Sequence, residues 1–345
     1  MRKILISILF ATVALVSCEK YDTIKEANND FKYNFDMFWK LVDEQYCFLG
    51  YKNIDWESVY DEMLPRVEAA KTEQEFFNVL EDCLDYLRDG HVWMISPFKV
   101  YSCDTYRYDE NDVKYPDNFD WDVVKDNYLK ETFRVMNTKI YFGEIERDGS
   151  KFAYIYYAGF DEMWTDEFFE YMEPVVKGAD GIIFDIRNNP GGLGEAGLQI
   201  AGLFVKEETQ IGYYASKAGN GHDDFSKLEP LKVKPFKGHN WSDKKTMLLT
   251  NRRVYSTANL FTCALKQAKN VTQVGGISGG GGGMPATHYL ANGWLVAFPS
   301  NVLFDLDKQH IEGGIAPDIE VTATEEELDE GIDSILERAI EELGK

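Results

Sequence analysis

Three short stretches of this chain carry residue types that could do covalent chemistry. The first surrounds Ser256, in Tyr255-Ser256-Thr257-Ala258, between an apolar run (246–250) and an amphipathic one (257–268). That context puts the serine at a helix N-terminus. There its hydroxyl can serve as an ordinary N-cap. It can equally serve as a nucleophile, because the free N–H groups and partial positive charge of a helix start suit an oxyanion forming beside it. The Thr257 amide would be one donor. The second stretch, Asn188-Asn189-Pro190-Gly191-Gly192, follows the apolar run 181–185 and could bring another donor, since glycine lets backbone approach a substrate closely. The third is Asp89-Gly90-His91, where a helical pattern stops. An imidazole there has the pKa range for taking a hydroxyl proton and returning it.

Those stretches need elements to hold them. Phe35, Phe38, Leu41 and Val42 recur at helical spacing, as do Val59, Met63, Leu64 and Val67, then Phe76, Phe77, Leu80, Leu84 and Leu87. Asp55 and Thr72 have the character of N-caps. The spacing predicts a three-helix bundle over 31–95. Residues 96–150, rich in Tyr, Asp and Asn, read as an insertion of short strands and loops. From 151 to 325 strands alternate with helices, and the runs 181–185 and 246–250 are apolar on both faces, as buried parallel strands are. Residues 206–243 read as a long polar excursion, and 326–345 as one terminal helix. The fold class is α/β.

The order and spacing of larger segments then add a resemblance. Leu84-x-x-Leu87-x-Asp89-Gly90-His91, the run from Gly181 to Gly192, and the run from Leu248 through Ser256, Val274-Gly275 and the glycines 279–283 to Glu312-Gly313-Gly314-Ile315-Ala316-Pro317-Asp318 together resemble peptidase family S41. That family includes the C-terminal processing proteases and the tricorn core. The resemblance spans about residues 33–325. It implies a crotonase/ClpP-like α/β core behind the bundle, and a serine-type endopeptidase acting on exported or unfolded polypeptides. It implies Ser256 as nucleophile, Gly191 or Gly192 with Thr257 as oxyanion donors, and Asp185 and Arg187 as supports of the turn. The processing proteases use a lysine in a Gly-Lys-Gly context downstream of the serine. Here that place holds Gly279-Gly280-Gly281-Gly282-Gly283, and Lys266 reads as a solvated side chain. The tricorn-like branch uses a histidine and a late glutamate, which fall on His91 and Glu312. His288 and His310 are the rival bases. The branch's extra serine before the histidine is Gly90 here, and an acidic position after the serine is Asn259. Many members carry a PDZ module, but the stretch from His91 to Phe152 has no carboxylate-binding loop, so no intact PDZ domain is expected. The alternative is a catalytically inactive binding protein, since the retinoid-binding proteins of the eye share this architecture. A third reading is a non-peptide hydrolase or scaffold in nutrient uptake.

Charge and the N-terminus bear on place and partners. A net charge of −23 repels phosphate backbones, and Lys244-Lys245 with Arg252-Arg253 make no basic stripe, so nucleic acid is not an expected partner. Arg2 and Lys3 precede an apolar run (4–16) too short to span a bilayer. Leu15-Val16-Ser17-Cys18 resembles a bacterial lipobox. The expectation is a signal peptide over 1–17, a lipidated Cys18 on a polar tether to residue 30, and a protein anchored in the cell envelope. Of the other cysteines, Cys83 and Cys263 read as buried thiols; an oxidising compartment allows a disulfide, and the sequence does not choose among the three pairings of Cys47, Cys83, Cys103 and Cys263. Their spacing fits no zinc site, and 109–120 lacks calcium-loop spacing. No cofactor or metal is called for.

Overall fold

The computed structural model describes residues 28–104, 107–108 and 114–345. The expected signal peptide, Cys18 and most of the tether lie outside the described residues. Among the described residues, no helix is long and apolar enough to cross a membrane.

The bundle consists of α1 (Phe31–Gln45), α2 (Trp56–Ala69) and α3 (Glu73–Asp85). Each starts where a side chain caps free backbone N–H groups. Asp30 accepts from the Tyr33 amide and Asp55 from the Ser58 amide, while Thr72 and Glu75 form a reciprocal capping box. The expected apolar stripes face inward, and each fully buried Phe or Leu contributes about 2 kcal/mol. Trp39 and Trp56 donate their indole N–H groups to each other's carbonyl oxygens, at 2.9 and 3.1 Å, tying α1 to α2.

Two sheets follow. The first joins β1 (Trp93–Ile95), β2 (Val100–Ser102), β7 (Thr209–Ser216), β8 (Glu229–Val233), β11 (Gly283–Tyr289) and β12 (Leu295–Phe304) in antiparallel order β2-β1-β12-β7-β8, with β11 also on β12. The second has the order β13-β10-β9-β6-β5-β4-β3, from β3 (Arg134–Val135), β4 (Ile140–Arg147), β5 (Ser150–Tyr157), β6 (Gly181–Asp185), β9 (Thr246–Thr250), β10 (Val271–Gly275) and β13 (Ile319–Glu320). Strands β13, β10, β9, β6 and β5 are parallel; β4 and β3 extend the sheet antiparallel. Helices α5 (Asp166–Gly178), α6 (Gly194–Ala201) and α7 (Thr257–Leu265) pack into one core with this sheet. Its other face is covered by α9 (Ser334–Leu343) and by the short α4 (Trp121–Val123) with the π-helical turn after it.

Two expectations change, and the bundle is continuous with the first sheet. Residues 206–243 are not an excursion: β7 and β8 lie there, and a register shift between Gln210 and Gly212 breaks the alternation that would have signalled them. The terminal helix is two, α8 (Glu325–Asp329) and α9, because Gly331 turns the chain at φ 80° and Asp333 caps α9. The bundle also has no core of its own. Leu290, Trp294, Val296, Phe298 and Val302 pack among its helices, so bundle and first sheet share one interior.

Candidate active site

Strand β9 ends at Thr250, and a turn carries the chain into α7 through Ser256. This serine has φ 55° and ψ −122°, a conformation that costs a non-glycine residue about 1–3 kcal/mol. The surroundings impose it. The Ser256 amide donates to Gly280 O at 2.9 Å, and the Tyr255 amide donates to Asn189 O at 3.0 Å. The hydroxyl caps no helix amide, so the N-cap reading fails. It lies instead 2.8 Å from His91 Nε2.

His91 reaches Ser256 from the loop after α3. Its amide donates to Asp89 Oδ1 at 2.8 Å, and the Gly90 amide donates to the Tyr255 hydroxyl at 3.0 Å. Burial holds the imidazole below its ordinary pKa; Asp89 opposes this shift and Lys52 adds to it. The ring is therefore neutral near pH 7, as a proton acceptor must be. Nδ1 is buried and meets no hydrogen-bond partner among the described residues. The rival histidines are elsewhere: His288 stacks on Phe298, and His310 packs among Phe48, Tyr51 and Phe304.

Glu312 does not fall where a triad would need it. One carboxylate oxygen pairs with Lys52 Nζ at 2.8 Å, and the other accepts the Gly282 amide at 2.7 Å. It makes no hydrogen bond to His91. Sequence reasoning missed Lys52, which no motif marks. Its ammonium also donates to Tyr46 Oη at 3.0 Å and Leu87 O at 3.1 Å, and lies 3.5 Å from Asp89 Oδ2. Two buried carboxylates thus share one cation at the seam between the bundle and the sheets.

The glycine turn meets Ser256 closely. A Cβ on Gly191 would lie 2.8 Å from Ser256 Cβ and from the Thr257 nitrogen, and its φ of 101° suits glycine. The Gly191 amide donates to Asn189 Oδ1 at 2.8 Å, so it is engaged. The Gly192 and Thr257 amides have no acceptor among the described residues, and Thr257 Oγ1 donates to Gly192 O at 2.6 Å, holding the two residues together. Of the three candidate donor amides, those of Gly192 and Thr257 are thus the two without an intramolecular acceptor among the described residues. The five-glycine run has a packing reason: it threads between Tyr255 and Glu312, and a Cβ on Gly280 would strike Glu312 O.

The supporting residues form a second buried constellation. Arg187 is enclosed, donating to both oxygens of Asp185 at 3.0 Å through Nε and to Asp333 Oδ1 at 2.9 Å. It joins the end of β6 to the start of α9, and its hydrogen bonds and ion pairs go to Asp185 and Asp333 rather than to Ser256 or His91. Asn259 donates to Ile311 O at 2.8 Å and accepts from Ser278 Oγ at 2.6 Å, fixing the loop that carries Glu312. Lys266 pairs with Asp318 at 2.6 Å, away from the serine. The four described cysteines are buried free thiols. Among the described residues no group of His, Cys, Asp and Glu side chains is arranged to hold a metal ion.

Comparison with known proteins agrees with this architecture. The model of peptidase family S41 matches residues 151–321, and that of the tricorn protease C1 domain matches 27–85. The crystal structure of a candidate peptidase from Parabacteroides merdae has a TM-score of 0.83 at 34 % identity, over 92 % of this chain and 97 % of that one. Mature CPAF complexed with lactacystin has a TM-score of 0.66 at 12 % identity, over 92 % and 98 % of the two chains, a likeness of fold alone. The carboxyl-terminal-processing protease of Synechocystis sp. is 31 % identical over 121 residues, which is 35 % of this chain and 26 % of that protein. The chain likewise spans 28 % of the CtpA-like serine protease of Staphylococcus haemolyticus that it matches. With the catalytic-core model, the tricorn C1 model and a 34 % identical solved relative covered almost end to end, the chain belongs to peptidase family S41.

Proposed function

We propose that this protein is a serine-type endopeptidase that cleaves exported or unfolded polypeptides, with Ser256 as nucleophile and His91 as general base. The observation that carries the reading is the 2.8 Å approach of Ser256 Oγ to His91 Nε2, made by a serine held in a strained turn at the start of α7. In the first step Ser256 Oγ bonds to the scissile carbonyl carbon and its proton passes to His91 Nε2. The negative charge that develops on the carbonyl oxygen is met by the Gly192 and Thr257 amides. His91 then gives the proton to the departing amine as the C–N bond breaks. Water, deprotonated by the same imidazole, then attacks the acyl-serine ester, and His91 returns that proton to Ser256 Oγ as the ester C–O bond breaks. The reading needs no cofactor. We place the protein in the bacterial cell envelope, anchored through a lipidated Cys18, on the strength of residues 2–18 alone.

Labelling of the purified protein with a fluorophosphonate probe tests this reading, beside Ser256→Ala and His91→Ala. Labelling that requires Ser256 and falls at least about 100-fold without His91 is expected. A folded wild-type protein that does not label would favour the second reading, a catalytically inactive S41-like binding protein. One observation speaks for that reading: no carboxylate hydrogen-bonds His91 Nδ1.

A further inference from the structure

A base that must meet a serine needs its ring held in place. In a Ser-His-Asp site the carboxylate does this through Nδ1. Here Nδ1 has no partner among the described residues, and Glu312, the carboxylate implied by family resemblance, is bound to Lys52 and Gly282. The ring must be placed by the loop that carries it, and both amides of that loop are gripped. The Gly90 amide donates to Tyr255 Oη at 3.0 Å, and the His91 amide donates to Asp89 Oδ1 at 2.8 Å. Tyr255 Oη itself donates to Asp89 Oδ1 at 3.2 Å. The Tyr255 ring also lies beside the imidazole, with ring centroids 5.1 Å apart.

We propose that Tyr255 and Asp89 are the positioning residues of this site, holding the His91 loop against Ser256 from the serine's own turn. The proposal rests on the reading of His91 as the base. Tyr255 immediately precedes Ser256, so one turn presents the nucleophile and fastens the partner that must reach it, although the two lie far apart in sequence. Asp89 is fully enclosed and anchored by Tyr46 Oη at 2.9 Å and Lys52 Nζ at 3.5 Å. The charged groups acting on His91 are Asp89 and, from the loop after α1, Lys52, with Glu312 beyond it. Against burial and Lys52, which both lower the His91 pKa, the Asp89 carboxylate raises it and so favours the imidazolium formed when the serine proton transfers.

The test compares wild type, Tyr255→Phe and Asp89→Asn by the second-order rate of fluorophosphonate labelling as a function of pH. Melting curves confirm that each variant is folded. Tyr255→Phe should label about 10-fold more slowly and Asp89→Asn about 100-fold more slowly, the scale of a misplaced catalytic group. The acid limb of Asp89→Asn should also move to lower pH, because loss of the anion disfavours the protonated ring. A purely structural role would slow labelling only in step with unfolding and leave the limb in place, and that result overturns the proposal. So does wild-type behaviour in both variants. If the wild type does not label, the peptidase reading falls and the positioning proposal is read from the NMR titration of the His91 ring, assigned by its loss in His91→Ala. A His91 titration lowered by Asp89→Asn supports the proposal, and an unmoved one overturns it.

Discussion

Lys52 Nζ and Glu312 Oε1 are 2.8 Å apart in an almost fully enclosed ion pair, and Asp89 Oδ2 lies 3.5 Å from the same ammonium. Bundle and core meet at this cation. Its removal would leave two buried carboxylates without a counter-charge. Lys52→Met should therefore destabilise the protein by about 3–5 kcal/mol. Adding Glu312→Gln to that variant should recover part of the loss, since the two sites share a partner. Urea unfolding checks both. A Lys52→Met loss below about 1 kcal/mol would mean that solvent reaches the carboxylates.

The same pair makes stability depend on pH. Burial pushes the Glu312 carboxyl up from 4.5 to about 7, against the pull of Lys52 and the Gly282 amide. Between those values the folded protein holds a proton that the unfolded chain has released. The contribution of Glu312 is thus full below about pH 4.5 and is lost as pH rises through about 7. His91 works in the opposite direction. Its depressed pKa means that the unfolded chain protonates first on acidification, so its contribution is lost as pH falls below 6.5. Glu312→Gln isolates the first effect. Unfolding free energies from pH 4.5 to 8 should show wild type losing ground to the variant as pH rises. Parallel curves would place the Glu312 pKa at its ordinary value.

Asn189 holds the glycine turn from within. Its side-chain amide donates to Tyr157 O at 2.7 Å and its oxygen accepts from Gly191 at 2.8 Å, with the residue wholly buried. Asn189→Ala strands one buried acceptor and one buried donor, which should cost about 1–3 kcal/mol per group. It also releases the turn that aims the Gly192 amide, so fluorophosphonate labelling should slow about 100-fold. Labelling at the wild-type rate in a destabilised variant would show that the turn keeps its shape without Asn189.

What the sequence made legible follows the range of the interactions. Ser256, His91 and the two glycines each stand at the end of an element with a strong local signature: a buried strand, a helix stop or a Gly-Gly turn. The helices of the bundle were legible because Asp55 and Thr72 act within one turn of chain. The partners of these residues were not. Lys52 finds Glu312 across most of the chain, and nothing local distinguishes it from a surface lysine. Asp333 reads as part of a continuous acidic helix until Arg187 arrives from β6. The glycine run read as a missing lysine, whereas close passage of the Glu312 backbone at Gly280 and Gly282 and of Tyr255 at Gly281 leaves no room there for side chains.

Asn259 is where family pattern and this molecule diverge, and the structure gives the divergence a sign. The resemblance has an acidic residue at this position. Here the side chain is fully buried, and its amide nitrogen donates to Ile311 O while its oxygen accepts from Ser278 Oγ. Ser278 Oγ in turn accepts from the Ile315 amide at 2.6 Å, so one chain of hydrogen bonds fixes residues 311–315 on α7. An aspartate would keep the acceptor and replace the donor with a second oxygen facing the Ile311 carbonyl. Two acceptors then meet without a proton between them, away from water. Asn259→Asp should cost about 2–4 kcal/mol at pH 8, combining a lost hydrogen bond with a buried uncompensated charge. The cost should shrink on acidification, because a protonated carboxyl regains the donor. Asn259→Ala, which adds no charge, should cost less than Asn259→Asp at pH 8 and show no such pH dependence. An aspartate variant as stable as wild type at pH 8 would show that the 311–315 loop can move to accommodate the charge.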